Sequence, residues 1–498
     1  MAPMIPLLKI KVEEKGVIRD IKEIIVRIDG LPTCLNGEIV DMGDGVRGLL
    51  MEYDEESARA LVLGNTSKLR MGKAVRATSE PFTIGIGDSC IGRMINAMGE
   101  ELDEHGPIET VDRVPVFRDS PSLMDRAPIN ELLHSGTKIV DMLTPIGKGQ
   151  RQLILGDRMT GKTSVAIDAI LNQKGRDVVC VYCCIGKSVS SLEKVMAMFH
   201  ETKALDYTAV VVATDNAPVA EQYIVPFTAS AVGDYFARRG RDVLVVFDDI
   251  TKHAWAYRQI SLLLDRPPGR EAYPGDIFYV HTQLMEQAGC FNENHGDGTM
   301  TFIALAETQQ GDFTGYIPSN LVSMCDGQIV LSSTVYAEGT RPAVDAQLSL
   351  SIVGGRAQPP ILKVLASSLR ADYASFTEIA RLSRLSSGLS DSAAAVMKKG
   401  ESIRAVFQQG HHMLATLSEM VLELYAVKHG FLDELPHDGK VAFCNQILGF
   451  TQEYAPALIR SIEEHQDMTP DIEDGLARIV KEYFAHLEHD ALQVGHAP

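Results

Sequence analysis

The chain has 498 residues, which suggests about three domains, and its 45% hydrophobic content is enough for large buried cores. Its 47 basic and 66 acidic residues leave a net charge of −19, which argues against a protein held on nucleic acid or on an anionic membrane surface by general attraction. No stretch approaches the roughly 20 apolar residues of a membrane-crossing helix.

The opening MAPMIPLLKIKVEEKG has a short apolar run, broken by Pro3 and Pro6, and no basic start. It does not read as a secretory signal, so the chain is expected in the cytoplasm. From about 20 to 76, Ile24, Val26 and Ile28 alternate with Ile25 and Arg27, and Gly30, Gly37, Gly43, Gly45 and Gly64 punctuate short runs. That spacing predicts a small β-barrel, assigned to residues 1–76.

Between 77 and 358 the pattern changes. RQLILG, DVVCVYC, TAVVVAT and DVLVVFDD are apolar throughout and alternate with helix-like stretches. A mainly parallel sheet buried on both faces requires such runs, so this is an α/β nucleotide-binding core. Within it, Cys180, Cys183 and Cys184 form a C-x-x-C-C string. It sits in an apparent buried strand with no second Cys/His pair nearby, which favours core thiols over a metal site.

GDRMTGKT, from Gly156 to Thr163, fits the phosphate-loop spacing G-x-x-x-x-G-K-[ST] between an apolar strand and the helix-like SVAIDAIL. Gly156 and Gly161 let backbone N–H groups turn toward phosphate oxygens, and the helix N-terminus adds its positive end. Lys162 would reach the outer phosphates, and the Thr163 hydroxyl would ligate Mg²⁺. Asp248 ends the strand VLVVFD, where it would hold the metal's water shell. The bland alternative is that Asp248 or Asp249 caps the next helix.

ATP hydrolysis needs a carboxylate to orient water beside the γ-phosphate. The strand before CCIGKSVSS instead leads into Lys187. The expected site therefore binds ATP or ADP and leaves it intact.

From about 359 to 498 the pattern is helical. Leu369, Tyr373, Phe376 and Ala380 share a face, as do Leu417, Met420, Val421 and Leu424 before Gly430, and Ile472, Leu476, Ile479 and Tyr483. These read as core stripes of a helical bundle.

GDRMTGKTSVAIDAI, VFDDITKHAWAYRQISLLLDRPPGREAYPGDIFYVH, ETQQGDFTGYIPSNLVSMCDGQIVL, GTRPAVDAQLSLSIVGG and FQQGHH together resemble the alpha subunit of F-type ATP synthase, from about residue 20 nearly to the C-terminus. The resemblance implies barrel, nucleotide core and helical bundle. It implies a ring of three alpha and three catalytic beta-type subunits around a central rotor shaft, with a stator stalk, at the cytoplasmic face of a bacterial-type membrane. It also implies a role in ATP synthesis coupled to proton or sodium transport.

Residue by residue, the resemblance assigns phosphate and metal contacts to Gly156, Asp157, Arg158, Met159, Thr160, Gly161, Lys162 and Thr163, and the metal's water shell to Asp248. Arg341 and Pro342 would line the nucleotide, and Gln409 and His411 would lie on its adenine side. Met159, Lys187 and His411 stand where family members usually carry glutamine. Pro267 to Gly269 resembles the loop of a sleeve around the shaft.

The main departure lies in Ser349-Leu350-Ser351-Ile352-Val353-Gly354, where the family carries S-x-S-R-[VI]-G. The missing arginine would stabilise phosphoryl charge in the neighbouring beta site, and losing such a finger costs about 10³ or more in rate. Ser349 keeps its place as a possible activity-linked residue, and Arg356 is the candidate substitute finger. The N-terminus also lacks helical periodicity, which leaves a stator contact without a visible element.

Three other readings are weighed. A stand-alone hexameric motor or helicase requires a carboxylate at Lys187. A beta subunit fails on Lys187 and on DDITKHAWAYRQ. A degenerate alpha-like binding or regulatory subunit is favoured by Ile352 and opposed by the preserved phosphate loop.

Overall fold

The computed structural model describes residues 14–54, 56–383 and 390–494. The expectation about the N-terminal segment before residue 14 lies outside them.

Six antiparallel strands close a barrel in the order Lys15–Lys22, Ile25–Asp29, Ser57–Leu63, Arg47–Tyr53, Glu38–Asp41, Ala74–Pro81, and the last pairs back to the first. Val26, Ile28, Val40, Leu50, Val62 and Val75 fill its interior. The first strand starts earlier than the glycine punctuation suggested, because Lys15 to Val17 close the barrel against Ala74 to Arg76. Ile25 is buried too, but in a different core: with Leu49, Leu61 and Leu63 it packs outside the barrel against Phe82 and the nucleotide domain. This is why the alternation in the first strands is imperfect.

The central sheet runs Leu350–Ser351, Gly327–Leu331, Arg151–Gly156, Thr299–Glu307, Asp242–Asp248, Val178–Ile185, Thr208–Ala213, Met94–Asn96. It is parallel except for Leu350–Ser351 at one edge and a short Gly289–Cys290 pairing. Every residue of Val178–Ile185 is buried, as a central strand covered on both faces must be. The three cysteines of that strand are core thiols, and burial pushes the Cys184 thiol up to about 12. Among the described residues no His/Cys/Asp/Glu group could hold a metal ion on the protein alone.

Leu369–Ser383, Asp391–Phe407, Leu417–Lys428, His437–Tyr454, Pro456–His465 and Pro470–Val494 make the helical domain. The three predicted stripes face its core, with Ala380 at the margin. Gly430, at φ +73°, follows the end of the third of these helices. Among the described residues no helix is long and apolar enough to cross a membrane.

Candidate nucleotide site

Arg151–Gly156 delivers the chain into the loop, and Lys162–Leu171 is the helix that follows. A Cβ on Gly156 would lie 2.7 Å from the carbonyl oxygen of Leu331, so a side chain there is excluded. Gly161 takes φ +101° at the helix N-cap, which glycine adopts without strain. The loop is braced from within: the Thr160 hydroxyl donates to the Asp157 carbonyl (2.8 Å), and Asp157 Oδ1 accepts from Thr308 Oγ1 (2.8 Å) and the Gly311 N–H (2.9 Å). Arg158 pairs with Glu307, and Met159 is 91% exposed. Lys162 Nζ folds back onto the Gly156 and Asp157 carbonyls, both at 2.7 Å, and burial lowers its pKa. The turn leaves the N–H groups of the helix start as a ready anion site.

The loop forms one wall of a cleft of about 1210 Å³, which Tyr336, Arg341, Pro342 and the 408–411 loop face from the other side. That exceeds the ~300–1,000 Å³ of ordinary small-molecule pockets, so a nucleoside triphosphate has room.

Thr163, Asp248 and Lys187 converge on its floor. Asp248 is 1% exposed, and its Oδ2 accepts from the Thr163 hydroxyl (3.0 Å) and the Tyr182 phenol (2.9 Å). Asp249 is the helix cap: its side chain accepts from the Lys252 N–H at 3.2 Å, and burial raises its carboxyl to about 6. Lys187 follows Gly186 out of the strand Val178–Ile185, and its Nζ lies 2.8 Å from Thr163 Oγ1 and 2.5 Å from Asp248 Oδ1.

Thr163 is a donor type that magnesium binds directly, at about 2.1 Å, and Asp248 is the expected holder of the metal's water shell. Here the lysine ammonium already stands between them. A divalent ion 4 Å from that ammonium would be repelled by about 8 kcal/mol at an effective dielectric near 20, which offsets what the single Asp248 carboxylate would offer it. As arranged, these residues favour the tethered ammonium over Mg²⁺.

On the side expected for adenine, Gln409 lines the cleft, but its amide is spent on the protein. Oε1 accepts from the Lys138 N–H (2.9 Å), while Nε2 donates to the Gly136 carbonyl (2.7 Å) and to that of Met413. The neighbouring Gln408 is exposed in the cleft and was missed, although it stands in the same FQQGHH motif. His411 Nε2 lies 3.2 Å from Ser164 Oγ. His412, also missed, pairs through Nδ1 with Asp168 at 2.6 Å. Arg341 lies 3.4 Å above the Tyr336 ring and donates to the Tyr336 and Thr340 carbonyls (2.6 and 2.9 Å). Tyr336, five residues before Arg341, carried no sequence signal.

Comparison with known proteins matches the ATP synthase alpha/beta family in three segments: the beta-barrel domain over residues 11–79, the nucleotide-binding domain over 136–351 and the C-terminal domain over 358–483. ATP synthase subunit alpha 2 of Nitrosospira multiformis is 40% identical over 92% of this chain and 90% of its own length. ATP synthase subunit alpha of Desulforudis audaxviator is 39% identical, and that of Clostridium botulinum strain Alaska E43 is 38% identical, each over 95% of this chain and 94% of the relative. The chain belongs to the F-type ATP synthase alpha-subunit family.

Two regions of this family member bear on its relation to neighbouring subunits. Ile352 is 71% exposed just past the edge strand Leu350–Ser351, on a segment that also exposes Leu348 and Leu350. Arg356 is exposed on the short helix Gly354–Ala357. Gly354 fixes that turn, since a Cβ there would lie 1.7 Å from the Pro145 carbonyl oxygen. Ser349 is 1% exposed; its hydroxyl donates to the Asp345 carbonyl (2.6 Å) and accepts from the Val330 N–H (2.9 Å). The geometry thus gives Ser349 the work of bracing the sheet edge. Pro267 to Gly269 lie in an exposed loop.

Proposed function

We propose that this alpha-family chain binds ATP or ADP without hydrolysing it and serves as the non-catalytic member of an F-type ring. The observation that carries the reading is Lys187 on the cleft floor, 2.8 Å from Thr163 Oγ1. The phosphate loop keeps its turn, its lysine and its helix start, while the position next to the scissile phosphate presents an ammonium, which cannot take a proton from water while charged. Asp249 and Glu307 also line the cleft, but one caps a helix and the other pairs with Arg158. Gly156 to Thr163 would hold the phosphates, Arg341 and Pro342 one side of the nucleotide, and Gln408 and His411 the base.

The partners that fit are a catalytic beta-type subunit, a central rotor shaft against the Pro267–Gly269 loop, and a stator stalk. The complex would sit at the cytoplasmic face of a membrane and couple ATP synthesis to proton or sodium flow. Purification of the full chain, alone and with its neighbours, tests this. The isolated chain should retain nucleotide and release no phosphate, and turnover should appear only with a beta-type partner. Steady hydrolysis by the isolated chain would overturn the reading.

A second reading follows from Ile352. Its exposed apolar side chain offers no charge to a neighbouring active site. The ring would then be a weak ATPase or a binding assembly, unless Arg356 substitutes for the finger.

A further inference from the structure

We propose that Lys187 takes the place of the magnesium ion, so that this chain binds ATP or ADP without a divalent cation. The inference rests on the reading above that the cleft holds a nucleotide.

The ammonium contacts both oxygens that would otherwise serve the metal, Thr163 Oγ1 at 2.8 Å and Asp248 Oδ1 at 2.5 Å. Lys187 already balances the single negative charge of Asp248. Its Oδ2 already accepts from Thr163 and Tyr182, and Oδ1 has no hydrogen-bond partner among the described residues besides this ion-pair contact. The carboxylate is almost fully buried, so it needs a positive neighbour at this place. Lys187 supplies it from within the chain.

The backbone holds the lysine there. Gly186 turns the chain at φ +58° as it leaves the central strand, and its N–H donates to the Ala213 carbonyl at 2.7 Å. The Lys187 carbonyl in turn accepts from the Asp215 N–H at 2.9 Å. The ammonium is therefore delivered by the sheet.

A lysine ammonium has three N–H donors. Two are directed at Thr163 and Asp248, and the third is left for an oxygen of the outer phosphates. One tethered positive charge then bridges the threonine, the aspartate and the polyphosphate, the bridging task a bound metal performs. Lys162 supplies a second ammonium to the same cleft.

The test is calorimetric titration of the full chain with ATP, once in excess magnesium and once in excess EDTA. Wild-type affinity should change by less than about threefold between the two, whereas K187Q should bind in magnesium and lose about tenfold or more in EDTA. A wild-type chain that loses about tenfold on chelation overturns the inference and leaves the nucleotide reading standing. A K187Q variant that binds equally in both media also overturns it. Absence of binding by the wild type in either medium overturns the nucleotide reading and this inference with it.

If K187Q does not fold, Mn²⁺ with ATP on the wild type decides. Nucleotide retained without an immobilised Mn²⁺ resonance supports the tethered ammonium. An immobilised resonance overturns it.

Discussion

Lys138 and Glu423 meet at 2.6 Å across 285 residues of chain, joining the nucleotide domain to the helical domain through a pair sealed from solvent. Glu419 adds a second carboxylate 2.7 Å from the same ammonium. Burial raises the Glu423 carboxyl to about 7 even though Lys138 opposes the shift, and Glu419 adds to it.

Replacing Lys138 with methionine should destabilise the chain by about 3 kcal/mol, because one buried charge loses its partner. The loss should depend on pH with a definite sign. A carboxyl whose folded pKa is raised contributes stability that is present under acid conditions and lost as pH rises through the folded value. Without the ammonium, the K138M denaturation midpoint should fall more steeply than the wild type's between pH 6 and pH 8. Equal slopes would assign no role to the pair.

His281 is 1% exposed, its Nδ1 facing the Asn320 amide at 3.4 Å and its Nε2 without a hydrogen-bond partner among the described residues. Burial lowers its pKa to about 4, against about 6.5 for a free histidine. Between those values the unfolded chain binds a proton that the native chain refuses, so stability falls as pH drops. This one residue should cost about 2 kcal/mol by pH 5. H281N removes the titration but keeps a polar amide, so its melting temperature should drop less than the wild type's from pH 7 to pH 5.

Ile352 is exposed enough for arginine to replace it without disturbing the core. In a ring assembled with catalytic partners, I352R should raise phosphate release by up to about 10³-fold if the missing guanidinium limits the rate. No gain there, with loss of activity in R356A, would point to Arg356 as the working finger.

Most of the architecture was legible in the sequence. The phosphate loop, the apolar central strands and the three helical stripes all follow from periodicity and spacing. Details set by long-range partners were not. Gln409 looked like a ligand contact, and only the fold brings Lys138 and Gly136 to its amide. Ser349 keeps the S-x-S position of the resembling motif, yet its hydroxyl is closed off by Asp345 and Val330. Lys187 is visible in the sequence as a lysine where hydrolysis would need a carboxylate, while its station between Thr163 and Asp248 depends on two strands lying side by side.

Replacing Gln409 with alanine should cut two hydrogen bonds between the 408–413 loop and the segment 136–138, and one within the loop, to the Met413 carbonyl. Each is worth about 1 kcal/mol. Hydrogen exchange in that loop should speed up, and ATP association should slow. Unchanged exchange would mean that the backbone bonds, from Ala415 N–H to the Gly136 carbonyl (2.9 Å) and from Gln409 N–H to the Arg341 carbonyl (2.8 Å), hold the loop without the side chain.

The same stitching settles how the cleft behaves. Its roof is fastened to the nucleotide domain by the protein's own amides, so a guest arriving at the phosphate loop finds walls already in place. Little ordering entropy then opposes affinity, and the rate of departure is set by the contacts at the phosphate loop and not by reopening of the roof.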